Sequence, residues 1–143
     1  MPITDQDLHA ALPDYKTPQH FPALEHPVTI HRDPWGIPHI QAESEADLFF
    51  AQGFATAQDR LWHMDFDRHQ ALGRWAELAG PSGLARDRLL RAAGMGRTAQ
   101  LDYQASSPAA RAMLDAYTAG VNAFIETTGA LPIEYALLDQ RPA

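Results

Sequence analysis

The chain has 143 residues, of which 45% are hydrophobic and 20% charged. This size and composition are typical of a folded domain with one core and argue against a disordered chain. The formal net charge of -7 disfavours nucleic acid and an anionic membrane surface as partners, because both select a basic face. The sequence contains no cysteine, which excludes disulfides, zinc–thiolate sites and thiol catalysis.

Residues 1–27 are polar and contain five prolines. Proline lacks a backbone donor and restricts the residue before it, so we predict an extended arm with one helical turn near Asp5–Leu12. We see neither the continuous apolar stretch of a secretory signal nor any membrane-spanning segment. The sequence therefore leaves the compartment open.

A β-hairpin is predicted directly after the arm. Residues 28–33 alternate apolar and polar side chains, as expected of a half-buried strand. Asp33-Pro34-Trp35-Gly36 has turn chemistry, and residues 37–42 return as a second strand. Pro38 cannot donate to a ladder and needs an edge or a strand start.

The remainder of the chain is predicted to be mostly helical. A long tract begins at Ser44 as N-cap, with Asp47 reaching back as in a capping box, and runs to about Ala79. Gly53 and Gly73 are expected to break it into two or three helices. Its residues 48–62 are apolar around most of the circumference, which predicts burial against a further chain.

Two later regions continue the helical pattern. Residues 84–104 predict short helices separated by glycine. Ser107-Pro108 begins an amphipathic helix that ends near Gly129. Its apolar face is expected to comprise Met113, Leu114, Tyr117, Val121, Phe124 and Ile125.

Few residue patterns point to chemistry within the chain. Ser82 lies in a Gly-Pro-Ser-Gly turn that lacks the spacing of a nucleophile elbow, so it is interpreted as a turn residue. An amine exposed at Pro2 after loss of Met1 would be a base or nucleophile, but it opens a polar arm with no pocket in view. We therefore assign no catalytic residue.

A metal site is the second chemical alternative. Asp59, His63 and Asp67 fall on one helical stripe with His69 nearby, a face of the kind that cations use. Arg60 and Arg68 adjoin the stripe and would neutralise the carboxylates, so internal ion pairing is preferred and no metal is assigned.

Gln58, Asp59 and Arg60 interrupt the apolar helix and must be satisfied internally if that helix is buried. Their functional interpretation places them in an active site. The preferred interpretation is a structural network of hydrogen bonds and ion pairs that holds helices in register.

Several segments, in order and at compatible spacings, resemble the penicillin acylase family of N-terminal-nucleophile (Ntn) hydrolases. The segment Arg32-Asp33-Pro34-Trp35-Gly36-Ile37-Pro38-His39-Ile40 is similar to the opening segment of that family. Further matching segments are 47–50, 53–64, 73–80, 116–123 and 131–135. One such segment alone would be a weak signal, whereas this series of segments in the same order is specific.

The resemblance implies that residues 28–143 are a penicillin-acylase-like α-chain segment, part of an αββα Ntn-hydrolase fold completed by a larger β-chain. That chain would supply an N-terminal serine nucleophile whose own α-amine acts as its base. Family α-chains continue into a helix that lines the acyl pocket and supplies a calcium ligand, so a structural calcium is expected only in the complete enzyme. The resemblance transfers no pocket residue and no metal ligand to this chain.

The sequence thus predicts part of a self-processed amide hydrolase acting on β-lactams, acyl-homoserine lactones or related N-acyl compounds. Its expected partners are the β-chain and a small N-acyl substrate. Two alternatives stay open: a free-standing helical binding module without catalysis, and a metal-binding regulator built on Asp59, His63 and Asp67.

Overall fold

The computed structural model describes residues 3–142 and is mostly helical. Helix α1 and a two-stranded antiparallel sheet precede six further helices. The elements are α1 Asp5–Ala10, β1 Thr29–Arg32, β2 Pro38–Gln41, α2 Glu45–Ala71, α3 Ala76–Ala79, a 3₁₀ turn Gly80–Gly83, α4 Leu84–Ala93, α5 Met95–Ala105, α6 Pro108–Thr127 and α7 Ile133–Leu138. The prediction of a mostly helical segment with an N-terminal hairpin is therefore confirmed.

Within residues 3–142, none of the helices combines the length and the apolar character that crossing a membrane requires. Helix α1 confirms the helical turn predicted near Asp5–Leu12. The hypothesis of an amine at Pro2 lies outside the described residues.

The chain divides into two compact units. The first comprises residues 3–61 and Pro108–Ile133. The second comprises Trp62–Ser107 and residues 134–142.

The hairpin of the first unit forms around the predicted turn. Ile30 pairs with Ile40 and Arg32 pairs with Pro38, so proline stands at the first position of β2, where its missing donor is tolerated. The turn closes with the Gly36 N–H donating to the Asp33 carbonyl at 2.9 Å, and Gly36 has a φ of +80° that favours glycine.

The core of the first unit is built where α2 crosses α6. A Cβ placed on Gly53 would overlap the Tyr117 carbonyl oxygen, and one on Gly120 would overlap the Phe50 carbonyl oxygen. The backbones are thus in direct contact, because both helices present glycine at the crossing. Phe54 packs edge-to-face on Phe124 at a centroid distance of 5.6 Å beside this crossing.

One prediction about the long helical tract was wrong and another is confirmed. Gly53 does not break the helix, because it lies at the crossing with α6. The irregular residue is instead Arg60, whose φ of -140° and ψ of 17° leave the helical range. The predicted break at Gly73 is confirmed, because α2 ends at Ala71 and Gly73, with a φ of +63°, separates it from α3, which reaches Ala79.

The predictions for the later helices are partly confirmed. Helices α4 and α5 flank Gly94, and α6 begins at Pro108 as its proline signal predicted. Met113 and Leu114, however, are 36% and 41% exposed and do not join the core. Helix α7 was not predicted, because its six residues are too few to show a helical period.

The second unit is held by backbone groups bound to a buried carboxylate. Asp87 of α4 is 5% exposed and accepts the N–H groups of Trp75 and Ala76 at 3.0 and 2.7 Å. These bonds satisfy free donors at the start of α3. Trp75 packs edge-to-face on Phe66 of α2 at 4.7 Å.

We expect Gly53→Ala and Gly120→Ala each to destabilise the protein by about 3 kcal/mol, since the new methyl group meets backbone that no rotamer change can move. Urea unfolding of the complete protein measures the change. Gly129→Ala is the matched control, because nothing lies within 4 Å of its added Cβ. Equal stability of Gly53→Ala and the control would contradict the contact.

Candidate functional site

Arg32 of β1 organises a polar network where the arm, the hairpin and α2 meet. Its guanidinium donates to the Asp59 carboxylate at 2.8 Å, to Gln58 Oε1 at 3.3 Å and to the Gly36 carbonyl at 3.0 Å. It also lies 4.2 Å from the ring centroid of Tyr15, a cation–π distance. One side chain therefore ties three segments of the first unit together.

The arm closes the network from the other side. The Tyr15 hydroxyl donates to Asp59 at 3.3 Å, and the Gln58 amide donates to the Asp14 carbonyl at 3.3 Å. Partial burial, and then the Asp59 charge, raise the pKa of Tyr15 above its usual range. The phenol therefore stays protonated and remains a hydrogen-bond donor to Asp59.

The predicted triplet is only partly brought together. Gln58 and Asp59 both bind Arg32, whereas Arg60 is exposed and makes no hydrogen bond or ion pair among the described residues. The partner cation of Asp59 is thus Arg32 rather than the adjacent Arg60. The partners of Gln58 and Asp59 lie on the arm and the hairpin rather than on a second helix.

A cavity of about 370 Å³ lies beside this network. Its walls are mainly apolar and aromatic, with the Arg32 and Lys16 side chains among the few charged groups. The lining comprises residues 14–19 and 28–30 with Phe21, Leu24, Arg32, Phe50, Ala51, Phe54 and Gln58. No histidine or cysteine is among these described lining residues.

A separate groove runs between the hairpin and the exposed side of α2. It is lined by Pro38, Ile40, Leu48, Gln52, Ala55, Thr56, Asp59 and Arg60. Leu48 is 37% exposed. The helix predicted to be apolar all round therefore buries one side within the first unit and leaves this partly apolar strip uncovered.

Asp47 anchors the arm to the start of α2. Its carboxylate is 1% exposed and accepts the backbone N–H groups of Glu25 and His26 at 2.9 and 3.2 Å. Ser44 caps the helix as predicted, by accepting the Asp47 N–H at 3.1 Å. The Asp47 carboxylate also reaches back to the helix start as predicted, by a hydrogen bond with the Ser44 side chain, while its backbone donors come from the arm.

A second buried carboxylate, Asp65, lies in the second unit. It accepts from Arg68 at 2.8 Å and from the Tyr135 hydroxyl at 3.1 Å, and His69 Nδ1 lies 3.2 Å away. Burial, and then the charge of Asp65, raise the pKa of Tyr135, so the phenol remains a donor. This cluster links α2 to α7 within the unit.

The predicted metal stripe is divided among different partners. Asp59 binds Arg32, while His63 and Asp67 face each other at 3.4 Å with side chains 70% and 64% exposed. His69 contacts Asp65 instead. In the part of the chain that the structure describes, no group of three His, Asp or Glu side chains could hold a metal ion.

Three serine hydroxyls in the described segment form hydrogen bonds with backbone groups. Ser82 Oγ donates to the Ala79 carbonyl at 2.9 Å and Ser106 Oγ to the Asp102 carbonyl at 2.8 Å. Ser44 accepts from its own helix. These are bonds of turns and helix ends, so none of the three is arranged as an activated nucleophile.

Sequence reasoning missed Arg32, Asp47, Asp65 and Asp87 as polar centres. Three of them are carboxylates within helices whose partners lie far along the chain. Of the three, Asp65 carried a signal in the sequence, because it lies between two large apolar residues, Met64 and Phe66. Such an Asp is buried only together with its donors.

Exchange of either partner tests the Arg32–Asp59 pair. A double-mutant cycle of Arg32→Met and Asp59→Asn should give a coupling of about 1–2 kcal/mol, because the pair is partly buried and hydrogen-bonded. The matched cycle on the exposed His63–Asp67 pair should give no more than about 0.3 kcal/mol. Equal coupling energies would contradict a central role for Arg32.

Asp47→Asn should lower the unfolding midpoint at pH 7 and speed amide exchange at Glu25 and His26. Hydrogen bonds, first from the Glu25 N–H, hold the pKa of Asp47 below its ordinary value of 3.8 despite burial. The Asp47 carboxylate therefore stabilises the folded state fully above that ordinary value. This stabilisation is lost as the pH falls through the lower pKa of the folded state. The difference between variant and parent should shrink below about pH 4. Asp67→Asn is the exposed control, and an equal effect there would contradict the anchor.

Comparison with known proteins identifies the family. The family model described as Penicillin amidase matches residues 27–143. The "Penicillin acylase 2 proenzyme" of Pseudomonas sp. (strain SE83) is 47% identical over 140 residues, which are 97% of this chain and 18% of that protein. "Acyl-homoserine lactone acylase QuiP" of Pseudomonas aeruginosa is 34% identical over 133 residues, covering 92% and 16% respectively.

The fold agrees with these sequence matches. The solved structure of a thermostable penicillin G acylase from Alcaligenes faecalis superposes with a TM-score of 0.73 at 32% identity, covering 82% of this chain and 64% of that chain. The chain spans less than a fifth of the length of the two curated relatives. The resemblance seen in the sequence is therefore confirmed, and the chain belongs to the penicillin amidase family.

Proposed function

We propose that this chain is the N-terminal, non-nucleophilic part of a self-processed acylase. The observation that supports it most directly is the 47% identity to a proenzyme of which this chain spans only 18%. A proenzyme is matured by cleavage, and most of such a protein lies beyond the matched part. We assign the serine nucleophile to a separate, larger chain that completes the αββα fold.

The proposed reaction is hydrolysis of a linear amide that joins an acyl group to a bulky amine. The relatives' names include penicillin and acyl-homoserine lactone acylases, so β-lactams, acyl-homoserine lactones and related N-acyl compounds are the proposed substrates. The terminal serine of the larger chain would attack the carbonyl while its own α-amine takes the proton. A free α-amine titrates near neutral pH, which suits it to this role.

In this proposal the described residues hold the fold in place around the active site and take no part in the reaction. The Arg32 network and the Asp47 anchor hold arm, hairpin and α2 in one arrangement, and serine hydroxyls bind backbone groups. A structural calcium in the complete enzyme would need ligands from outside residues 3–142, because no suitable group is found among them.

Expression of the complete gene tests the proposal. Intact mass and N-terminal sequencing of the purified protein should find this chain together with a larger chain that begins with serine. Replacing that serine with alanine should leave one uncleaved, inactive chain. Release of free amine from penicillin G and from an acyl-homoserine lactone measures the activity and ranks the substrates.

The opposite outcome is equally clear. If this chain purifies alone as a folded monomer and the gene encodes no larger remainder, the free-standing binding module is the better description. Binding without amine release would then replace hydrolysis as the function to pursue.

A further inference from the structure

The hairpin turn presents two large apolar side chains to solvent on a firmly held backbone. Trp35 is 84% exposed and Ile37 is 55% exposed. The Asp33 carboxylate accepts the N–H groups of both residues at 2.9 Å. Rigid, exposed aromatic side chains are where the binding energy of protein interfaces concentrates, because little entropy is lost when they bind.

The groove along α2 begins next to this turn, because Pro38 and Ile40, which follow the turn in the sequence, line it. Arg32 binds the Gly36 carbonyl in the turn and the Asp59 carboxylate at the groove, so the two features are held together. We call them the tip–groove surface, made by Trp35, Ile37, Pro38, Ile40, Leu48 and Arg60.

Arg60 gives this surface a preference for charge. The backbone of Arg60 departs from the helical geometry of α2, and its exposed guanidinium lines the groove. Asp59 beside it is neutralised by Arg32, whereas Arg60 has no ion-pair or hydrogen-bond partner within residues 3–142. A cation left unpaired beside an apolar groove favours an occupant that combines apolar side chains with a carboxylate.

The lengths of the relatives indicate the source of the occupant. This chain accounts for 18% and 16% of two curated acylases, so most of an acylase polypeptide lies outside it. We propose that the tip–groove surface binds an apolar segment bearing an Asp or Glu from that larger remainder. Trp35 enters an apolar pocket there, and the carboxylate pairs with Arg60. The inference rests on the proposed function for the presence of that remainder, but it does not require self-cleavage.

A photo-crosslinking residue at position 35 of the complete protein identifies the occupant. Benzoylphenylalanine in place of Trp35 should form a crosslink, mapped by mass spectrometry, to a peptide from the larger remainder that contains Asp or Glu close to apolar residues. Crosslinks confined to residues 3–142, or none in a folded and active labelled protein, would overturn the proposal.

Substitutions in the complete protein measure the strength of the contact. Trp35→Ala and Arg60→Glu should each weaken the association of the two chains about tenfold, read as faster separation in urea. Trp35→Phe and Arg60→Lys should stay close to the parent, and Leu89→Ala, an exposed apolar residue of α4, is the matched control. No change at Trp35 and Arg60, or an equal change at Leu89, would overturn the proposal.

The two proposals fail in different ways. If the complete protein is never cleaved, self-processing is wrong, yet a crosslink from position 35 to the remainder still supports the contact. If two chains form and hydrolyse amides while position 35 crosslinks only within this chain, the acylase proposal stands and the contact is wrong.

Discussion

The close crossing of α2 and α6 is the constraint on which the first unit depends. Gly53 and Gly120 each meet a carbonyl group of the opposite helix, so both positions must lack a side chain. The crossing brings Phe54 against Phe124 and leaves Phe21 of the arm to cover Phe50 and Phe54. Glycine lowers the helix propensity at these two positions, but it allows the helices to approach more closely than any larger residue would permit.

Polar groups fix the positions of the arm and the hairpin on α2, which the apolar contacts alone leave undetermined. An apolar core has little directional preference, so the arm could slide on it. Asp47 binds two consecutive amides of the arm, and Arg32 spans from the hairpin turn to α2. Each is a charged group bonded to several partners at once, and such groups set position more strongly than they set stability.

The parts of the fold that local rules govern could be predicted from the sequence. The hairpin followed from the strand alternation around Asp33-Pro34-Trp35-Gly36, and the start of α6 followed from Pro108. Contacts between distant residues could not be predicted: Gly53 looked like a helix breaker until Tyr117 was seen beside it. The Gln58–Asp59 pair was recognised as a network, but its cation is Arg32, far away in the sequence. The role of this triplet in the complete enzyme stays a prediction.

The order of segments within the first unit has a consequence for folding during synthesis. Residues 62–107 lie between the two halves of that unit, so a ribosome makes α2 well before its partner helix α6. Closing so long a loop is entropically slow, and until α6 is made Phe54 lacks its contact with Phe124 and the α6-facing side of α2 stays exposed. A nascent chain halted before Pro108 would contain only the part of the first unit's core that precedes α6. Such an intermediate exposes apolar surface of the kind that chaperones recognise.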